Sequence, residues 1–392
     1  MHPSEHLRGS KGDDLKGKKI VLGITGSIAA VECVKLIREL VREGAEVHCV
    51  MSGWAEKIVH PYALEFSSGT EPITELTGQV EHVSLCGKVP DKADLFLISP
   101  ATANTISKIA NGIDDTPVTT FATTSIGSGI PLVIVPAMHQ SMYEHPVVMD
   151  NLQKVQEELE ATIVGPKIEE GAAKVANKDE IVDNVIRVLN DDLKDENITV
   201  ITGSSVEPID TMRVITNRAT GKTGIELAKR AFRRGANVQL WYGKVQAEIP
   251  HWIPNRRFET LDDLLGYSKD LTETVIVPAA LSDFGVDEVS GSKISSEEGI
   301  SLELKPLPKF IEEVRENVDF LVAFKAEDSR EKAVEKAKKM IDDQRADMVV
   351  ANSLEDVKSN KNTICILKGD QWIEGSKREL AEKILDEVKK RK

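Results

Sequence analysis

The chain has 392 residues, 41% of them hydrophobic, and carries a formal net charge of −14. That length favours two or three domains with real cores, and the acidity argues against a nucleic-acid surface. The scattered cysteines Cys33, Cys49, Cys86 and Cys365 contain no C-x-x-C pair, so neither a disulfide framework nor a zinc site is indicated.

The polar start lacks the apolar segment of a signal peptide, and residues 1–17 read as a mobile leader. No apolar run is long enough to cross a bilayer, so a membrane role is not expected and the compartment reads as cytoplasmic. The first structural signal is "KIVLGITGSIAA" (19–30), a β-rich run ending in a glycine turn. A helical run then stops at a glycine and leads into a second strand, "LIRELVREGAEVHCVMSG" (36–53). Further strands follow at "DLFLISP" (94–100) and "PLVIVPA" (131–137). The pattern then restarts: "ITVITGSSVEP" (198–208) and "LAKRAFRRGANVQLWYGK" (227–244) repeat strand, helix, glycine and strand in the same order. "ETVIVPA" (273–279), "VDFLVAF" (318–324) and "ADMVVAN" (346–352) continue it. This predicts a doubly wound α/β sheet begun twice, that is, two Rossmann-like three-layer domains. Their expected bounds are 18–190 and 197–392, with the charged run 191–196 as linker.

The halves differ in one informative place. Gly26 and Gly44 are 18 positions apart, whereas Gly203 and Gly235 are 32 apart. The extra residues, "VEPIDTMRVITNRAT", sit between the first strand and its helix, beside the crevice where open α/β sheets bind ligands. Directly after them, Gly221-Lys222-Thr223 resembles the end of a P-loop, but the position five before Gly221 is Thr216, so the loop cannot close around phosphates. A helix start with free N–H groups and a lysine remains, which suits an anion and equally suits a plain helix start. Basic residues gather in this half: Arg213, Arg218, Lys222, Lys293, Lys305 and Lys309.

In the first half "GITGSIAA" lacks G-x-G-x-x-G, so a dinucleotide fingerprint is absent. The Gly26-Ser27 turn could still hold one phosphate, which suggests a mononucleotide. "GITGSIAA", "SPATANTISKIANGI" and "PAMHQSMY" resemble three motifs of the homo-oligomeric flavin-containing cysteine decarboxylases. "ITGSSVEPIDTMRVITNRATGKTG", "AALSDF", Lys293-Ile294 and "DMVVANS" resemble the phosphopantothenate–cysteine ligases. In this order, over about residues 18–390, they resemble the bifunctional decarboxylase/ligase family of coenzyme A biosynthesis.

The resemblance implies FMN in the first half, at Gly26, Ser27, Ser52, Pro100, Ala101, Thr102, Asn104, Thr105 and Met138, with His82 as the essential histidine. Two departures are visible. Where the family has asparagine to hold the substrate carboxylate, this chain has His139, and the flap "GPKIEEGAAKVAN" (165–177) carries no cysteine to act as the final acid. In the second half the resemblance implies activation of a carboxylate by a nucleotide, CTP rather than ATP, with Mg²⁺. It places Arg213 and Asn217 at the substrate, Lys293 at the phosphates, and Asp283, Pro308, Lys309, Phe324 and Lys339 (or its neighbour Lys338) at the nucleotide. The implied partners are 4′-phosphopantothenate, cysteine and a nucleoside triphosphate. The implied assembly is a homo-oligomer with trimeric flavin-domain and dimeric ligase-domain contacts. Metal ligands stay open, and a ligase whose flavin domain is only a scaffold or regulatory binding module is the alternative.

Overall fold

A computed structural model describes residues 2–295, 299–343, 345–358, 363–367 and 372–391. The chain divides into two compact units between Asn190 and Asp191.

The first unit runs α1 (Pro3–Leu7), β1 (Lys19–Ile24), α2 (Cys33–Arg42), β2 (Glu46–Met51), α3 (Pro61–Ser68), α4 (Glu81–Cys86), β3 (Leu95–Ala101), α5 (Ala103–Ala110) and α6 (Pro117–Gly127). It continues with β4 (Leu132–Pro136), β5 (Met138–His139), α7 (Gln140–Tyr143), α8 (Pro146–Glu158), β6 (Thr162–Ile163), β7 (Lys167–Glu169), β8 (Ala172–Lys174) and α9 (Lys178–Leu189). Its main sheet is parallel with order β2-β1-β3-β4-β6. Because both faces are covered, the strands are apolar almost throughout. In β1, Ile20, Leu22 and Ile24 point into the layer of α2, α3 and α9, while Val21 points into the layer of α5, α6 and α8. Gly23 is the point of closest approach, since a Cβ there would lie 3.0 Å from Phe96 and Val118. The order reverses between β1 and β3, which makes their carboxyl ends the switch point.

The second unit runs β9 (Asn197–Thr202), β10 (Val206–Pro208), β11 (Val214–Thr216), α10 (Lys222–Arg233), β12 (Asn237–Tyr242), β13 (Asn255–Arg257), α11 (Leu261–Gly266), β14 (Thr274–Val277), β15 (Phe284–Val286) and β16 (Leu304–Pro306). Then come α12 (Phe310–Val314), β17 (Phe320–Glu327), α13 (Arg330–Asp342), β18 (Met348–Ser353), α14 (Leu354–Lys358), β19 (Thr363–Ile366), β20 (Trp372–Glu374) and α15 (Lys377–Lys389). The sheet order is β13-β12-β9-β14-β17-β18-β19-β20, parallel up to β18 and antiparallel beyond it. The switch point here lies between β9 and β14. One face packs on α10 and α15, and the other on α11, α12 and α13. Two three-layer, doubly wound units are thus present, as the patterning predicts.

Two expectations need correction. Residues 2–16 are not a mobile leader. Leu15 is fully buried, and the N–H groups of Gly9, Lys11 and Leu15 bond the carbonyls of Val41, Arg42 and Glu43. The segment therefore gives acceptor carbonyls at the C-terminal end of α2 hydrogen-bond donors. Nor is 191–196 a linker. Leu193 and Glu196 are buried, Leu193 N–H bonds the Arg234 carbonyl at 2.9 Å, and the acidic charges meet Arg234 and Arg391. A run that looks solvated in sequence is neutralised by arginines from elsewhere in its own unit.

Candidate active sites

The first candidate site lies at the β1/β3 switch point, and a residue the sequence reading did not single out organises it. Buried Thr25, just past β1, donates its hydroxyl to the Pro100 carbonyl at 2.6 Å and accepts from Thr102 N–H at 3.1 Å. Its position before the Gly26-Ser27 turn was the only available signal. On one side of this tie, Gly26 meets the loop after β2: a Cβ would fall 2.4 Å from Cβ of Trp54, so only glycine lets the two backbones approach. Ser27 caps a short 3-10 turn (Ile28–Glu32). Ser52 is buried, donates its N–H to the Ile24 carbonyl at 3.0 Å, and caps the next turn through Ala55 N–H. On the other side, Thr102 caps α5 by accepting from Thr105 N–H at 3.3 Å, and the two hydroxyls lie 3.1 Å apart. Ala137 N–H bonds the Ala101 carbonyl at 3.0 Å, bringing Met138 and His139 to the same end of the sheet.

The structure therefore gathers Gly26, Ser27, Ser52, Pro100, Ala101, Thr102, Thr105, Met138 and His139 at one end of the sheet. Asn104 sits in the first turn of α5 and faces solvent. His82 lies apart, on α4, with its ring edge-on to Phe121 of α6 at 6.4 Å. Its Nδ1 is buried and has no hydrogen-bond partner among the described residues, which leaves it open to a water or a bound group. Cys86, one turn on, is a buried thiol, pushed up to about 11 by that burial, so it stays protonated. The segment 165–177 forms the β7–β8 hairpin, and β8 pairs with β5 so that Ala172 stands opposite His139. His139 Nδ1 lies 3.0 Å from Ser141 Oγ and accepts from Ser141 N–H at 3.4 Å, leaving Nε2 to act outward.

The second candidate site surrounds the carboxyl ends of β9 and β14. Ser204 bridges Ala280 and Lys244, and its hydroxyl donates to the Asn217 carbonyl at 3.1 Å. Asn217 Nδ2 donates to the Ala280 carbonyl at 3.0 Å, which fixes its side chain across the switch point. Ser205 Oγ lies 3.0 Å from Ser282 Oγ and accepts from Ser282 N–H, setting the loop that carries Asp283. Asp283 is ion-paired with Lys309. Gly221, in the left-handed conformation, precedes α10, and its carbonyl accepts from Thr202 Oγ1 at 3.0 Å.

The insertion is a β-hairpin, β10–β11, rather than a loop. Its turn is held by buried Asp210, whose Oδ1 accepts from Met212 and Arg213 N–H, each at 2.7 Å. Arg213 Nη1 donates to Asp210 Oδ2 at 2.6 Å. Burial opposes ionisation of Asp210, but the N–H groups of Met212, Ile294 and Arg213 and the Arg213 guanidinium outweigh it and bring the carboxyl down to about 2. Lys293 precedes Ile294 and is exposed. Phe324 follows Ala323, the β17 partner of Val277, at the same sheet end.

Pro308 adjoins Lys309 and is exposed. Lys339 lies on α13, nine positions past its first residue and about 13 Å along the helix axis. Lys336, one helical face nearer, is ion-paired with Glu327 at 2.7 Å, and Lys325 joins it at 3.2 Å. Among the described residues no group of three or more His, Cys, Asp or Glu is placed to hold a metal ion, and no helix is long and apolar enough to cross a membrane.

Comparison with known proteins finds matches over both halves of the chain. Residues 8–190 match the family described as Flavoprotein, and residues 193–391 match the DNA/pantothenate metabolism flavoprotein C-terminal domain. The coenzyme A biosynthesis bifunctional protein CoaBC of Thermococcus kodakarensis is 45% identical over 100% of this chain and 99% of its own length. That of Methanocaldococcus jannaschii is 38% identical over 100% and 98%. A solved C-terminal domain of a coenzyme A biosynthesis bifunctional protein CoaBC covers 51% of this chain and 97% of its own, at 26% identity and a TM-score of 0.43. By its full-length relatives and by both of its halves, the chain belongs to the family of coenzyme A biosynthesis bifunctional proteins.

Proposed function

We propose that the chain carries out two successive steps of coenzyme A biosynthesis. The second unit condenses 4′-phosphopantothenate with cysteine at the expense of a nucleoside triphosphate, CTP rather than ATP. The first unit decarboxylates the resulting phosphopantothenoylcysteine to 4′-phosphopantetheine with FMN. The observation that carries the reading is that both switch points hold polar groups fixed by hydrogen bonds, Thr25 with Pro100 and Thr102, Asn217 with Ala280.

In the ligation, the substrate carboxylate attacks the α-phosphate, pyrophosphate leaves, and the cysteine amine then displaces the nucleoside monophosphate. Catalysis is mostly positioning and charge neutralisation. Arg213 and Lys293 supply positive charge, Asn217 holds the acyl-nucleotide, and Asp283, Pro308, Lys309 and Phe324 border the nucleotide. Asp283 and Lys309 are ion-paired with one another, so the nucleotide exchanges part of that pairing for its own contacts. Mg²⁺ enters on the triphosphate.

In the decarboxylation, direct loss of CO₂ would leave an unstabilised carbanion. Bound FMN supplies the two-electron chemistry that makes the thiol-bearing carbon an electron sink. The residues fit that group: Gly26 and Ser27 offer a tight turn with a hydroxyl for one phosphate, and the orphaned Nδ1 of His82 awaits a polar partner. His82 handles the thiol proton, and His139 donates to the substrate carboxylate through the nitrogen that Ser141 leaves available. The exposed side chains of Ile28, Val31 and Trp54 beside the site suit burial against further copies of the chain. We place the enzyme in the cytoplasm as a homo-oligomer. The absence of cysteine from 165–177 favours a second reading, a ligase whose flavin unit only binds.

The ligation half is tested by incubating the protein with 4′-phosphopantothenate, Mg²⁺ and CTP or ATP without cysteine. A mass corresponding to the acyl-nucleotide and matching pyrophosphate release are expected in the CTP tube. Pyrophosphate only with ATP would reverse the nucleotide assignment, and none with either would end the ligase reading.

A further inference from the structure

We infer that Asp210 is a positioning residue of the ligation site: it clamps the hairpin bearing Arg213 to the loop bearing Lys293, so that both cations face one phosphate-bearing ligand. The inference rests on the ligase reading above. The clamp consists of one buried carboxylate between two exposed segments. Asp210 has no exposed side-chain surface. Its Oδ1 accepts from Met212 and Arg213 N–H and closes the turn between β10 and β11. Its Oδ2 accepts from Arg213 Nη1 at 2.6 Å and from Ile294 N–H at 3.1 Å, across 84 positions of sequence. Arg213 Nη1 also donates to the Ile294 carbonyl at 3.0 Å, and Ser290 N–H bonds the Ile209 carbonyl at 3.1 Å. Both peptide groups of Ile294, the residue after Lys293, and the hairpin turn are thus held by one Asp–Arg pair.

The cations themselves are left available. Only Nη1 of Arg213 is engaged among the described residues, so Nε and Nη2 remain as a fork suited to phosphate or carboxylate oxygens. Lys293 has no partner among the described residues. The carboxylate pairs with one nitrogen of Arg213 and fixes the two segments that carry both cations, as a site for a multiply charged anion requires.

The test uses the full chain with Asp210→Asn. The amide keeps the Oδ1 acceptor but turns an N–H₂ toward two donors, Arg213 Nη1 and Ile294 N–H. Three readouts are taken. Limited Lys-C digestion, scored by the peptide ending at Lys293, is expected to speed up at least tenfold. The ligase kcat is expected to fall about 100-fold, the scale of a 1 Å misplacement, at neutral pH without denaturant, where a cooperative urea transition followed by tryptophan fluorescence shows that the variant is folded. In the Asp210→Asn/Lys293→Ala double variant the loss is expected to stay close to that of Lys293→Ala alone. Unchanged cleavage at Lys293, or kcat losses that multiply in the double variant, overturns the inference. If the wild-type chain shows no ligation at all, the ligase reading fails instead, and the digestion still reports whether the clamp exists.

Discussion

Replacing Gly224 by alanine sets two effects of opposite sign against each other. Gly224 is the third residue of α10, with ordinary helical angles, so helix propensity alone predicts that alanine stabilises by about 1 kcal/mol. Packing predicts the reverse. A Cβ at this position would lie 2.3 Å from both Cβ and Oγ1 of Thr202 and 3.0 Å from Cγ of Pro278, well inside the ~3.5–4.0 Å of a normal carbon contact. Thr202 cannot yield, since it is fully buried at the end of β9 and donates to the Gly221 carbonyl. Overpacking of this kind costs about 3 kcal/mol at the upper end of its usual range, so the net effect is destabilisation by about 2 kcal/mol. Three of the four tryptophans, Trp241, Trp252 and Trp372, lie in the second unit, and their fluorescence follows its urea unfolding. With an m-value of about 2 kcal/mol per molar, the midpoint should drop by about 1 M. An unchanged or raised midpoint would refute the packing of α10 on β9.

Other perturbations separate the two units. His82→Ala is expected to lower decarboxylation of supplied phosphopantothenoylcysteine by about 100-fold or more while ligation proceeds unchanged; equal loss of both would contradict its assignment. Arg234, only 11% exposed, pairs with Asp192 at 2.6 Å, Asp386 at 2.9 Å and Glu382 at 3.1 Å. Arg234→Ala should destabilise the second unit by about 2 kcal/mol, less than a fully buried pair because the carboxylates can turn to water; a urea midpoint within error of wild type would exclude this. The Asp210 carboxyl is depressed to about 2 in the folded chain, so the stability it contributes is present above pH ~4 and lost as pH falls through about 2. The gap in urea midpoint between wild type and Asp210→Asn should therefore narrow over that window, and a gap that widens on acidification would contradict the sign.

The doubly wound architecture was legible because buried parallel strands are continuous apolar runs, as in "KIVLGI" and "ITVIT", and because glycines end the helices that follow them. The short antiparallel pairs β10–β11 and β15–β16 were not. β10, β11, β15 and β16 have three residues each, too short for a period to register. The leader and linker were misread because single residues, Leu15 and Leu193, carry their burial while nearby charges pair with distant residues, Lys11 with Glu39 and Asp192 with Arg234. At the sites, turn glycines and hydroxyls at strand tips were readable. Thr25 and Asp210 were not, since their partners lie 75 and 84 positions away.

The central claim, that one chain performs both steps, is tested most directly by supplying 4′-phosphopantothenate, cysteine, Mg²⁺, FMN and CTP and following products by mass. The account predicts 4′-phosphopantetheine, with phosphopantothenoylcysteine passing through as an intermediate. Accumulation of phosphopantothenoylcysteine alone would contradict it and leave a ligase with a flavin-binding scaffold.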